Sequence, residues 1–448
     1  MRTPVVGIAV CTCLLHASSV LAQNWSFDAR AVGLGGVGET GNVAVNMVDE
    51  QRPYRAIVLP FGLVQILPNM RTMNPAENDF DLVRTIEYAA SPIHYVFGRD
   101  SSDTGQQFVT DIRNGELSRD LNSYRGVSLP GSVSAEGLAS PSWGGTFKLS
   151  QQPNGSFHGI YVGAGPYFSI KTDATIDPAL ASLLASETPV YMRNSNFRLA
   201  NNTETQLALA VTGGYRARIA WPSAAAGNST DGLYFGANYH FLKGFHYENF
   251  DLGARLDTDN AGFLTVNPVT EPLVVNRFTG SSGRGYAIDV GVAAVKNRWE
   301  LGFGVNGIAN RIEWSDVERT DYFLSSLVGG GEFDDRPAVL GPASRVELPV
   351  DVRANAAYNA DAFTATAEFA NGFNGTTFRG GYEHKFNRVQ LRGGGRYVDE
   401  RFEPTGGVGF NFSNRVGMDV AAFATRANLE RKRNMAVAFS IRLMRQQD

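Results

Sequence analysis

The charged residues of this chain recur at every second position. From Arg388, one phase reads Arg388, Gln390, Arg392, Gly394, Arg396, and the other reads Val389, Leu391, Gly393, Gly395, Tyr397. The same split sets Arg379, Gly381, Glu383, Lys385 against Phe378, Gly380, Tyr382, and puts Asp419 and Arg442 on the polar side of their own runs. Alternation of this kind sends one set of side chains to each face of a β-strand. A basic side chain facing lipid at mid-bilayer costs roughly 2–4 kcal/mol, so charges in phase point inward. Arg379, Glu383, Lys385, Arg388, Arg392, Arg396, Asp419 and Arg442 are therefore expected to line a lumen, with Asp351, Arg353, Glu368, Asp289 and Glu300 on the same side elsewhere. The chemistry open to them is electrostatic. They pair with one another and fix an internal segment, or they steer an anionic, carboxylate-bearing solute.

Bond-making chemistry finds little support. Six histidines are present, one of them, His16, at the end of the N-terminal apolar run, and none has the spacing of a Ser/His/Asp set or a metal site. His240 shares its phase with Asn238 and reads as a hydrogen-bonded wall residue. Residues 257–262 (DTDNAG) echo the first half of a calcium loop, but Ala261 and Pro268 stand where ligands belong, so the stretch reads as a turn. No enzyme activity, cofactor or metal is expected. A net charge of -4 offers no basic patch for nucleic acid.

The elements that hold these residues are strands of roughly ten residues joined by turns, the pattern of a transmembrane β-barrel. The chain is rich in glycine, 49 residues, and 43% hydrophobic, which suits a wall that is apolar on one side only. At the N-terminus, Arg2 precedes an apolar run over residues 5–15, and Val20-Leu21-Ala22 offers a cleavage site before Gln23: a secretory signal peptide. Both cysteines, Cys11 and Cys13, lie within it, so no disulfide framework is expected beyond it.

Residues 25–42 read WSFDARAVGLGGVGETGN. This stretch resembles the mature N-terminus of FadL-like, PorV-like and TraF-like outer-membrane barrel proteins. The resemblance implies a segment lying in or under the barrel as a plug, with Arg30, Gly33, Gly35 and Gly36 as its gate. It also implies passive transport of hydrophobic or amphipathic small molecules, or, in the PorV-like case, a non-transporting barrel that serves as scaffold or partner in a secretion or surface-attachment system.

Along the chain, residues 54–66 read as a first strand and residues 67–143 as a long polar insertion with a short helix at residues 80–90. A hairpin turns near Pro153, and a helix starts at Asp177 and Pro178, presenting Leu180, Leu183 and Leu184. Residues 172–203, 244–283 and 314–348 read as long outer loops, the second with strand character of its own as the alternative, and Asn297, Ala360, Asn387 and Asn414 mark short turns at the other end. The expectation is all-β: a transmembrane antiparallel β-barrel of about fourteen strands with an N-terminal plug-like segment. Its parts are residues 1–22 as signal, 23–53 as plug and 54–448 as barrel. Expected partners are outer-membrane lipid, a hydrophobic small-molecule ligand and the barrel-assembly machinery. The apolar-bearing loops near Leu180–Leu184 and Phe323–Leu327 are expected to capture substrate, and would equally serve a protein partner.

Overall fold

In the computed structural model the alternating runs become one antiparallel sheet. The structure describes residues 28–444 except residues 38–41, 50–53, 60, 62–63, 66–67, 69–93, 98–102, 130, 141–142, 223–229, 267–270, 373–374, 399–400 and 426–432. The chain begins with two short helices, α1 (Ala29–Gly33) and α2 (Val43–Asp49). There follow β1 (Tyr54–Leu59), β2 (Tyr95–Phe97), α3 (Asp103–Asn114), a 3-10 turn at Leu121–Tyr124, β3 (Ser132–Ala139), β4 (Trp143–Gln151), β5 (Phe157–Ile176) and α4 (Pro178–Ala185). Long strands come next: β6 (Asn196–Ala220), β7 (Gly232–Asp257), β8 (Leu273–Gly280), β9 (Gly283–Lys296), β10 (Trp299–Trp314) and β11 (Val317–Leu324). After the short pieces β12 (Phe333–Asp335), β13 (Val339–Leu340) and β14 (Ser344–Val346), a regular series completes the chain. It comprises β15 (Asp351–Asn359), β16 (Phe363–Gly372), β17 (Gly375–Phe386), β18 (Val389–Val398), β19 (Arg401–Asn411), β20 (Val416–Thr425) and β21 (Asn434–Met444).

Hydrogen-bonded ladders lead from β21 through β20, β19, β18, β17, β16 and β15 to β10. They continue through β9, β7 and β6 to β5. β1 and β2 share β21 as one broken edge strand, and β3 and β4 share β5 as another. This is the wall of a membrane-spanning antiparallel barrel. Among the described residues no ladder joins the two edge strands, and the number of about fourteen stays an expectation. The helix expected at residues 80–90 lies outside the described residues.

The outward phase shows where lipid lies. On β6 it exposes Leu209, Val211, Tyr215 and Ile219, on β7 Phe235, Tyr239 and Phe241, and on β17 and β18 Phe378, Tyr382, Phe386, Leu391 and Tyr397. Apolar side chains left in the open over such an area belong against hydrocarbon. At the short-turn end, rings form a belt along neighbouring strands: Trp299 against Tyr358, Tyr358 against Phe363, and Phe363 stacked on Tyr382. Aromatic residues favour that depth because their rings suit the interface between hydrocarbon and headgroups.

Above the lipid band the sheet behaves differently. A membrane-spanning strand needs about 9–11 residues. β6 has 25 and β7 has 26. The outward phase of β6 carries Ile219, Tyr215, Val211, Leu209 and Leu207 at its lower end and Leu199 and Phe197 at its upper end, with Thr205, Thr203 and Asn201 between, and the pairing of β5 with β6 shows no register shift. Burial nonetheless changes phase between Thr203 and Gln206. Below that level the even-numbered, lumen-facing residues are buried and the apolar face is open to lipid. Above it the same apolar face is covered, and Arg198, Ala200 and Asn202 on the other face are exposed.

The cover consists of α3, the 3-10 turn and α4. Phe108, Ile112, Leu121 and Tyr124 join Leu180, Leu183 and Leu184 over Phe197, Leu199, Phe250, Leu252, Leu256 and Leu324 in one core. Helix α4 starts where expected, with Asp177 accepting from Ala179 N and Pro178 at its first position. Two expectations are corrected here. Residues 172–203 and 314–348 are not plain loop, since the ends of β5 and β6 lie in the first and β11 to β14 in the second, while residues 244–283 carry the end of β7 and all of β8, which agrees with the alternative of strand character there. Leu180, Leu183, Leu184, Phe323, Leu324 and Leu327 are buried, so their apolar surface serves this core and offers no capture surface.

Candidate functional site: a plugged, charge-lined lumen

The residues that the alternation turns inward meet the N-terminal segment. Asp28 caps α1 by accepting from Arg30 N at 3.1 Å, and Ser440 Oγ on β21 donates to the same carboxylate oxygen at 2.8 Å. One turn of helix aims Arg30 at β17, where Nε and Nη2 each reach a Glu383 oxygen at 3.0 Å. Two parallel N–H···O contacts of this kind specify geometry as well as charge. The apolar side of α1, Ala29 and Val32, rests on Ala421, Phe423, Ala436 and Ala438.

From Glu383 a chain of charges crosses the inner wall. Arg392 Nε donates to Glu383 at 2.6 Å, and its Nη1 lies 2.6 Å from Asp419, which also holds Arg442 Nε at 2.6 Å. Arg442 completes its fork on Gln390 at 2.5 Å. Arg392 stands on β18 and Asp419 on β20, so the pair bridges over β19. Gly409 on β19 leaves the room: a Cβ there would meet Arg392 Nη2 and Asp419 Oδ1 at 2.6 Å. A second chain runs from Asp351 through Arg353 and Glu368 to Arg379, whose Nη1 donates to the carbonyl of Gly36 at 3.2 Å. Buried charges cost several kcal/mol each unless paired, and here acids and arginines alternate along both chains.

The plug's turn follows α1. Gly35 and Gly36 both adopt positive φ, 80° and 79°, and bend the chain back so that Gly36 N bonds Ala31 O at 2.8 Å. A side chain at Gly35 would also strike Gly395 O at 2.6 Å and Gly380 O at 2.7 Å. Gly35 N donates to Thr405 Oγ1 at 3.1 Å, and that hydroxyl donates to Gly33 O at 3.3 Å. Asn42 then caps α2 through Ala44 N and Val45 N. Helix α2 packs Ala44, Val45, Met47 and Val48 on Tyr234, Ala293 and Val295 beside the short-turn end.

The structure thus brings together Arg30, Glu383, Arg392, Asp419 and Arg442, with Arg379 on Gly36 and Arg396 held by Glu403 at 2.6 Å. Lys385 stands apart, half-buried near the short-turn end with Nζ 3.4 Å from Ala360 O. Arg388 is exposed in the turn between β17 and β18, away from the cluster. Of the glycines, Gly33 lies against Arg392 and Gly407, while Gly35 and Gly36 form the turn. Asp28 and Asn42 were not among the expected site residues, although an Asp or Asn just before a short apolar run is an ordinary helix-start signal. Thr405 carries no such signal, because nothing local marks which wall hydroxyl a plug will meet.

Higher in the lumen the lining turns apolar. Leu242, Ala287, Ile312, Tyr167, Ala208 and Ala210 pack with Trp314, joined by Val346 at the end of β14 and Leu348 just after it. Trp314 stacks on Tyr247 at 5.4 Å, donates to Gln206 at 3.1 Å and lies over Gly244 and Gly283. His240 is a wall residue, with Nδ1 2.8 Å from Thr212 Oγ1 and Nε2 2.7 Å from Asp289. Outside the lumen, Asp259 caps its turn through Ala261 N and Phe263 N, and the Phe263 amide foremost holds its carboxyl below the usual range.

Fold and site together define a class: a membrane-spanning antiparallel barrel whose lumen holds its own N-terminal segment. No known family description matches the chain, and no curated protein does either. Solved structures similar to it include the toluene transporter TbuX of Ralstonia pickettii, at 13% identity over 70% of this chain and 88% of that one, with a TM-score of 0.33. The toluene transporter TodX of Pseudomonas putida matches at 12% identity over 69% and 87%, with a TM-score of 0.33. A porin of Rhodopseudomonas blastica matches at 11% identity over 64% and 99%, with a TM-score of 0.21.

Proposed function

We propose that this protein is a passive conduit of the outer membrane for hydrophobic or amphipathic small molecules, held closed by its N-terminal segment. One observation carries the reading: the lumen's upper layer around Trp314 is apolar, while the layer below it is closed by a segment held through polar contacts. A wall built only as a scaffold has no need of a greasy ring inside it. An apolar solute loses little on entering such a ring, whereas a sugar or an ion loses its hydration there. The plug's contacts are hydrogen bonds and ion pairs, which water can replace when the segment moves.

The experiment is uptake into vesicles holding the purified barrel, with small apolar, amphipathic and sugar solutes compared. Entry of the apolar and amphipathic solutes ahead of the sugar is expected, and deletion of residues 24–43 should raise single-channel conductance while the barrel still migrates faster unheated than boiled. Equal exclusion of every solute, with conductance unchanged in the folded deletion, refutes the conduit. That result favours the scaffold reading, for which the outer end offers the exposed apolar pair Val339 and Leu340.

A further inference from the structure

The lipid-facing side of β7, β9 and β10 ends in a row of cations. Lys243 pairs in register with Arg284, and Arg284 with Glu313. One step nearer the membrane, Phe241 pairs with Tyr286, and Tyr286 with Arg311. All of these belong to the outward phase of their strands, and Lys243 and Arg284 are exposed. Directly below lie the lipid-exposed rings of Tyr239 and Phe241, with Tyr239 stacked on Tyr286 at 6.0 Å and the Arg311 guanidinium 4.9 Å over Tyr286. Glu313 is the acid of the patch, 3.6 Å from Arg311. Arg345, opposite Glu313 on β14, is bound to Glu347. Among the described residues Lys243 and Arg284 have no carboxylate partner; Lys243 reaches only Ser282 Oγ, at 3.4 Å.

We infer that Lys243, Arg284 and Arg311 form a binding site for the phosphate groups of an acylated, phosphorylated glycolipid in the outer leaflet. The patch lies at the top of the lipid band, with Lys243 in register with lipid-facing Leu209 and a few residues below the level where the wall's cover changes to the protein's own helices, which is headgroup depth. Its surplus of positive charge faces the anionic layer, and the aromatic platform beneath gives acyl chains a flat apolar surface. Phosphate prefers paired cations on neighbouring strands, because an arginine offers a planar fork and a lysine a point charge. The inference rests on the reading of the exposed band as lipid-facing and is independent of transport.

The test is native mass spectrometry of the folded barrel in detergent, titrated with a synthetic bis-phosphorylated, acylated disaccharide, its dephosphorylated form and inorganic pyrophosphate. The bis-phosphorylated lipid is expected to bind, the dephosphorylated lipid to bind far less, and pyrophosphate alone not to compete. Lys243→Gln with Arg284→Gln should weaken lipid binding by on the order of thirtyfold, the effect of removing two cations from an anionic lipid surface. Both residues are exposed, so heat-modifiable migration should stay normal. Unchanged affinity in the double variant, or equal binding of the dephosphorylated lipid, overturns the site. Pyrophosphate competing as well as the lipid shows a free-anion site and overturns the lipid assignment.

Discussion

Glu383 receives Arg30 from the plug and Arg392 from the wall, and removing either side of the first pair should open the lumen by a calculable amount. Charged hydrogen bonds contribute about 1.5–3 kcal/mol net, and directly coupled residues typically show interaction energies of about 0.5–3 kcal/mol. Arg30→Met removes a two-pronged contact at 3.0 Å but leaves Glu383 neutralised by Arg392 at 2.6 Å. Its cost therefore lies near the lower figure, about 1.5 kcal/mol, or roughly a tenfold rise in the open population. Opening should be brief, because Asp28 on Ser440, Gly36 on Arg379 and Gly35 on Thr405 remain. Glu383→Gln should open the plug similarly and also destabilise the barrel, since Arg392 loses one of its two acids. The assay is single-channel recording of the wild type, Arg30→Met, Glu383→Gln and the double variant, with heat-modifiable migration as the folding control. In the Glu383→Gln background, Arg30→Met should add almost nothing. Effects that simply multiply in the double variant would show that Arg30 does not hold the plug through Glu383.

Other expectations follow from neighbouring features. Leu391→Arg places a cation on the lipid face and should cost about 2–4 kcal/mol, visible as a lower urea midpoint. Arg392→Leu should cost at least as much, about 3–5 kcal/mol, because it removes the link between Glu383 and Asp419; a mild effect would mean that the network contributes little. Leu183, 2% exposed in the outer core, should cost about 2–5 kcal/mol as Leu183→Ala, raising protease sensitivity of the outer part while the barrel keeps its heat-modifiable migration. Burial, with Asp111 beside it, pushes the Tyr124 hydroxyl above its ordinary value. The folded core thus favours the protonated form: its stabilisation is complete below about pH 10 and declines as pH rises further. Limited proteolysis across that range should show the loss in wild type and not in Tyr124→Phe.

The register of β17 to β21 was legible because each strand is of membrane length, polar on one face and apolar on the other. The inward placement of Arg379, Glu383, Arg392, Arg396, Asp419 and Arg442 follows from that alone. Arg388 follows the same phase but falls in a turn, where phase loses its meaning. The longer strands misled for a physical reason. Alternation records which face of a strand is apolar, and it does not record whether lipid or a helix covers that face. The alternation alone ends β5 at Lys171 and starts β6 at Glu204, because Asn201, Thr203 and Thr205 interrupt the apolar phase of β6 there before Leu199 and Phe197 resume it. Helix α3 carries its period on little more than Phe108 and Ile112 within a polar stretch and has no cap signal as clear as the Asp177 and Pro178 that mark α4. The plug's position came from resemblance, and its individual contacts depend on wall residues hundreds of positions away.

The outward face of β5, β6 and β7, apolar at both its lower and its upper end, bears on how deep the protein floats. A 25-residue strand at about 3.3 Å per residue is roughly 80 Å long, well over the length that a tilted strand needs to cross a bilayer. A polar step, Asn201, Thr203 and Thr205 on β6 and Lys243 on β7, marks where the hydrocarbon should stop, and more apolar face lies above it. The helices keep that limit by covering the apolar face above the step, so they act as a float line. Without α3 and α4, the greasy band on this side would extend upward while β15 to β21 opposite kept theirs. A bilayer meets such unequal heights by thinning, thickening or letting the protein lean. The outer helices therefore hold the barrel upright as well as folded, and their loss should appear as tilt before it appears as unfolding.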